Sequence, residues 1–169
     1  MLVRCGTLAA AGGIASIRDA VIDDVALAKL IKPHAPIWIG LGTSQTSLRP
    51  YDRLADFWTM VARTAFVQLR RSWLRLLGAV VGMVFLYAMP PVATVVGIIT
   101  ANPTLAISGA AGWIAMAVAY RPTLALYGQS PLAGFLLPGA ALLFVAMTAD
   151  SGRLHAMGRG AAWKGRTYG

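Results

Sequence analysis

"LLGAVVGMVFLYAMPPVATVVGIITANPTLAISGAAGWIAMAVAY", residues 76–120, contains no Asp, Glu, Lys or Arg, and after Arg121 the next charge is Asp150. The core of a small soluble domain does not run uncharged for so long. A helix that crosses the hydrocarbon layer of a bilayer needs about 20 mainly apolar residues. The stretch therefore predicts membrane helices near residues 76–98, 104–120 and 131–148. Pro90 and Pro91 interrupt the first of these and Pro138 the third. Prolines are tolerated in such helices when neighbouring helices, side chains or water satisfy the freed carbonyls, so they predict kinks. The alternative is a segment 76–89 that dips in and returns at Pro90.

Composition points the same way. Of 169 residues, 57% are hydrophobic and 12% charged, far from the balance of an ordinary soluble domain. The charges are uneven. Residues 1–56 carry six Lys/Arg against five Asp, whereas residues 57–169 carry nine against Asp150 alone. Arg63, Arg70, Arg71 and Arg75 precede the first span, which places the amino-terminal half in the cytosol by the positive-inside rule. The tail conflicts with this orientation. Arg153, Arg159, Lys164 and Arg166 also prefer the cytosol, yet three full crossings put them outside. Either one segment does not cross completely or the tail breaks the rule.

Ahead of the membrane region the pattern predicts the end of an α/β domain. "MLV" reads as a strand remnant, "TLAAAGG" as a short helical turn stopped by Gly12 and Gly13, and Val25 to Lys32 as a helix ended by Pro33. In "APIWIGLG", Ile37, Ile39 and Leu41 alternate with Trp38, which suits a strand leading to a glycine-rich turn. No phosphate-binding glycine loop precedes a helix here. Over residues 51–71, Leu54, Phe57, Trp58, Val61, Ala65 and Leu69 recur at helical spacing, while Asp56, Arg63 and Arg70 share another side. Such a helix lies in the membrane interface with Trp58 and Phe66 near headgroup level, or packs on protein as an ordinary amphipathic helix.

Asp23 and Asp24 are adjacent in a chain that has no Glu. An Asp just before "VALAKLI" caps free N–H groups at a helix start and is favoured by the helix dipole. A carboxylate held there above a cleft can also act as general base for an acceptor hydroxyl. The two roles are compatible. Cys5 is the sole cysteine, which excludes an internal disulfide and a cysteine metal cluster. His34 and His155 have no carboxylate or cysteine at ligand spacing and read as structural or solvent-facing. The first residues hold Arg4 but no sustained apolar run with a cleavage site, so insertion is expected to rely on the later spans.

The order "LVR", "TLAAAGGI", "IRDAVIDDVALAKLI", "APIWIGLG", "SLRPYDRLADFWTMVARTAFVQL", apolar spans, "YRPTLALYG" and a terminal "AAWKGRTYG" resembles the carboxy-terminal part of membrane-bound family 2 glycosyltransferases. The resemblance is strongest to the hopene-associated glycosyltransferases of bacteria and runs over essentially the whole chain. It implies an α/β remnant of a GT-A-type catalytic domain over residues 1–50. An interfacial amphipathic helix over 51–75, about three transmembrane helices within 76–149 and a basic tail over 150–169 complete the expected order. It further implies sugar transfer with inversion from a nucleotide-sugar donor to a lipid or hopanoid-type acceptor. The expected location is the bacterial inner membrane, multi-pass, with the catalytic part cytosolic. No nucleic acid is expected as a partner.

In that scheme Asp24 matches the base of the family's acidic pair, and Asp23 orients the acceptor or caps the helix. Related enzymes carry a "QxxRW" signature on the following helix, where "MVARTAF" keeps only an arginine. Arg63 is thereby a candidate for contact with donor diphosphate or acceptor. The family's nucleotide-binding strands and metal-holding "DxD" have no counterpart in the sequence. The expectation is a fragment, inactive by itself, of a parent that uses a divalent metal (Mg or Mn). The terminal "WKGRTYG" reads as a Trp-anchored basic tail at the membrane surface. The competing expectation, from a different class, is a small basic non-enzymatic membrane protein that binds anionic lipid or a protein partner.

Overall fold

The structure, a computed structural model, describes residues 1–20, 22–40, 42 and 52–159, and the backbone of 162–163 and 166–167. In chain order the elements are α1 (Cys5–Ala10), a 3-10 turn (Ile14–Ile17), α2 (Asp23–Ile31), α3 (Leu54–Gln68), α4 (Trp73–Ile99) and α5 (Pro103–Leu126). A 3-10 segment (Pro131–Leu136) then leads into α6 (Leu137–Ala156), and a two-residue antiparallel ladder pairs β1 (Ala162–Trp163) with β2 (Arg166–Thr167).

The α/β expectation is overturned. Residues 1–3 and 36–40 have no regular structure, and among the described residues the short β1–β2 ladder is the sole strand pairing. Trp38 and Ile39 are almost fully exposed. Alternation of apolar residues makes a strand only when another strand satisfies its N–H and C=O groups, and among the described residues none pairs with Ile37–Ile39. Leu41 and most of the glycine-rich turn after it lie outside the described residues. The helical expectations in this region fared better. α1 ends where Gly12 and Gly13 take positive φ of 93° and 77°, a left-handed exit that glycine makes without steric cost.

Three segments are long and apolar enough to cross a membrane: Trp73–Ile99, Pro103–Leu126 and Pro131–Ala156. The protein is accordingly a multi-pass membrane protein. Within α4 only Leu76 and Gly97 are buried by the rest of the chain, and Phe85 and Ile99 face outward. Water penalises such a surface and lipid accepts it.

α4 runs unbroken through Pro90 and Pro91, so the chain does not return at that point. The two rings remove the bonds that N–H groups there would give to the preceding turn. Thr94 Oγ1 donates to the Pro90 carbonyl at 2.8 Å. Pro138 does not interrupt a helix either. It sits at the first turn of α6, where a missing N–H costs nothing.

α4 and α5 form an antiparallel hairpin closed by glycine. A Cβ on Gly97 would overlap the Ala106 backbone, and one on Gly109 would overlap Thr94 and the Pro90 carbonyl. Small residues at these levels let the two backbones approach, which is how helices pair in lipid without a hydrophobic driving force. The turn between them is capped by Asn102, whose Oδ1 accepts from the Leu105 N–H at 3.1 Å, with Pro103 at the first helical position.

Candidate functional site

Asp23 and Asp24 occupy the first turn of α2, and both are exposed. The residue ahead of the helix is Ile22, which makes no side-chain cap. Each carboxylate instead takes a neighbouring backbone donor. Asp23 Oδ1 accepts from the Asp24 N–H at 3.0 Å, and Asp24 Oδ1 accepts from the Val25 N–H at 2.7 Å. The pair therefore sits at the positive end of the helix dipole. Both residues are open to solvent. Arg18 pairs with Asp19 at 3.5 Å, with both side chains exposed.

Arg63 is placed elsewhere. It lies on α3, half-buried, with its Nε enclosed. Asp23 and Asp24 bond backbone groups in the first turn of α2, whereas Arg63 lies on α3. Among the described residues no group of three or more His, Cys, Asp or Glu could hold a metal ion. Cys5 is exposed and free.

The densest polar constellation is one the sequence reading did not single out, on the seam between α3 and α6. Trp58 Nε1 donates to Asp150 Oδ2 at 2.9 Å, and Arg153 pairs with Asp150 Oδ1 at 2.7 Å. Ser151, fully buried, accepts from the Phe66 N–H through its Oγ at 2.9 Å. The Phe66 ring lies 4.9 Å from that of Trp73 and 5.0 Å from that of His155. Phe57 meets Phe144 edge-on at 5.6 Å. α3 is thus packed on α6 through Phe57, Trp58, Ala62 and Phe66.

A signal for this seam does exist in the sequence. Thr148, Ser151, Gly152 and His155 recur at helical spacing across the end of the third apolar segment, a small-and-polar stripe of the kind that joins helices in lipid. Beside the seam, an open apolar hollow is lined by Leu54, Ala55, Trp58 and Thr59.

Basic side chains collect where α3, α4 and α6 meet. Arg70 and Arg71 form the turn between α3 and α4, with positive φ of 56° and 54°, and both are exposed. Arg75, Arg153 and Arg159 are exposed at the adjoining helix ends.

No protein-family model, curated protein or solved structure matches the chain.

Proposed function

We propose that the chain is the acceptor-side membrane portion of an inverting glycosyltransferase, which moves a sugar from a nucleotide-sugar donor to a lipid or hopanoid-type acceptor. The observation that carries the reading is an exposed carboxylate, Asp24, at the start of a helix in a chain that continues into a membrane bundle. The sequence resemblance over "IRDAVIDDVALAKLI" and "RPYDRLADFWTMVARTAF" supports it. In the reaction, Asp24 takes the proton of the acceptor hydroxyl as that oxygen attacks the anomeric carbon. The bond from that carbon to the diphosphate breaks, and the nucleotide diphosphate leaves. Asp23 holds the first turn of α2 through the Asp24 N–H and so positions the base. Among the described residues no group of three or more His, Cys, Asp or Glu is placed to hold the divalent metal expected of the parent.

The test uses the native gene with an affinity tag after Gly169. The mass of the product in its source cells is measured against 17.8 kDa, and transfer is assayed on the product. Asp24→Asn is expected to lower transfer at least about 100-fold, as loss of a general base does, with expression and insertion unchanged. Transfer at the wild-type rate in Asp24→Asn removes the base assignment.

A second reading is favoured by the exposed arginines around the apolar bundle. On that reading the product is a basic, non-enzymatic membrane protein that binds anionic lipid or a protein partner. A phenotype that survives Asp23→Asn and Asp24→Asn but not Arg75→Gln would select it over the transferase.

A further inference from the structure

The levels at which helices touch give the direction of the third apolar segment. α4 leaves the Trp73 end, and α5 returns to it, as the pairs Gly97 with Ala106 and Gly109 with Pro90 and Thr94 require. Gly152, near the end of α6, lies against Leu76 and Trp73 at the start of α4. α6 therefore also points toward the Trp73 end. Two consecutive helices that end on one face of a membrane need a return path between them, and here that path is short. Gly134 packs on Ala117, and the Phe135 carbonyl accepts from Trp113 Nε1 at 3.1 Å. From Leu126, the end of α5, the chain thus climbs back along α5 only as far as the level of Trp113 before α6 begins. From Trp113 to Leu126, α5 rises about 20 Å at 1.5 Å per residue, so the hairpin tip stops short of the roughly 30 Å hydrocarbon core. From Leu137 to Gly152, α6 then covers about 22 Å at 1.5 Å per residue, which suffices to regain the Trp73 level.

We infer that Pro131–Ala156 is a re-entrant hairpin, so that the chain crosses the bilayer twice and Arg70, Arg75, Arg153 and Arg159 form one basic rim against the anionic headgroups of a single leaflet. The hairpin resolves the conflict of charge between the two halves of the sequence. Positive residues precede α4 and follow α6, while the opposite turn, Thr100–Asn102, carries none. With an even number of crossings both basic groups lie on the cytosolic face, as the positive-inside rule demands. Re-entrant backbone is tolerated at membrane depth where protein covers it. Here α5 covers the 3-10 segment, and Gly134 is buried. The inference needs only the membrane location and is independent of sugar transfer.

Single cysteines in a Cys5→Ser background of the full chain test it. The positions are Gln68→Cys before α4, Thr100→Cys in the opposite turn and Met157→Cys after α6. In sealed vesicles of known orientation, a membrane-impermeant maleimide is expected to label Gln68→Cys and Met157→Cys from the same side, and Thr100→Cys only from the other. Labelling of Met157→Cys together with Thr100→Cys overturns the hairpin. A nitroxide at Leu136→Cys gives a second reading. Collision with oxygen rather than with a water-soluble nickel chelate is expected at the hairpin tip, and a water-exposed signal overturns it. For the rim, the chain is placed in nanodiscs that mix phosphatidylcholine with phosphatidylglycerol. Native mass spectrometry is expected to show retained phosphatidylglycerol, reduced in Arg75→Gln and Arg159→Gln. Equal retention of the two lipids removes the rim.

Discussion

The indole N–H of Trp58 reaches the carboxylate of Asp150 across 92 positions of sequence, at 2.9 Å. That carboxylate belongs to an apolar helix, where an ionised group is tolerated only with partners, and Arg153 supplies the second at 2.7 Å. Trp58→Phe keeps the ring and removes the donor. The expected cost is about 1–3 kcal/mol, the range for a hydrogen bond to a charged group. Unfolding in detergent by SDS titration, followed by tryptophan fluorescence, measures it. An unchanged midpoint in Trp58→Phe means that the bond does not hold α3 to α6.

Ser151 makes the neighbouring contact. Its Oγ accepts from a backbone N–H in the middle of α3, and the site is closed to solvent. Ser151→Ala is expected to cost about 1 kcal/mol by loss of that bond, and Ser151→Leu more, because the added volume has nowhere to go against Phe66. The same titration should rank wild type above Ser151→Ala above Ser151→Leu. Any other order contradicts the packing described.

Gly97 and Gly109 set the spacing of α4 and α5, with backbone atoms directly where a Cβ would go. Gly97→Ala and Gly109→Ala are each expected to destabilise the hairpin by about 1–3 kcal/mol, as overpacking does. Gly78 offers the control, since nothing lies within 4 Å of its added Cβ. Gly78→Ala should be neutral or slightly stabilising, because alanine is the better helix former. Equal effects at all three positions would refute close backbone approach as the cause.

Asn102 supplies the cap at the turn between the two helices. Asn102→Ala is expected to cost about 1 kcal/mol, and Asn102→Asp to restore most of it. Thermal inactivation of the detergent-solubilised protein would show the difference, and an Asn102→Asp as labile as Asn102→Ala would argue against a capping role.

The membrane helices were legible because lipid leaves a one-dimensional trace. The uncharged run from Leu76 to Tyr120 gave α4 and α5 to within a few residues at the ends facing their shared turn, and α3 followed from the recurrence of Phe57, Trp58 and Val61. The strand at Ile37–Ile39 was misread because a period of two carries no information about a neighbour. The α3–α6 seam escaped notice for a related reason. Trp58 and Asp150 become partners only through the path of the intervening chain, and neither position announces the other. Asp23 and Asp24 stood out as a pair and lie at a helix start as expected, but in its first turn, behind Ile22. Arg63 lies on a different helix, α3, which packs on α6.

The long separation between Trp58 and Asp150 also orders biogenesis. During synthesis α4 and α5 can pair as soon as both have emerged, because only a three-residue turn, Thr100–Asn102, divides them. α3 has to wait, with Trp58 and Phe66 uncovered, until the ribosome has delivered α6. Insertion is therefore a local event and closure a late one. A chain halted before Asp150 would leave the translocon with its hairpin formed and one amphipathic helix still seeking cover, the kind of species that quality-control proteases recognise.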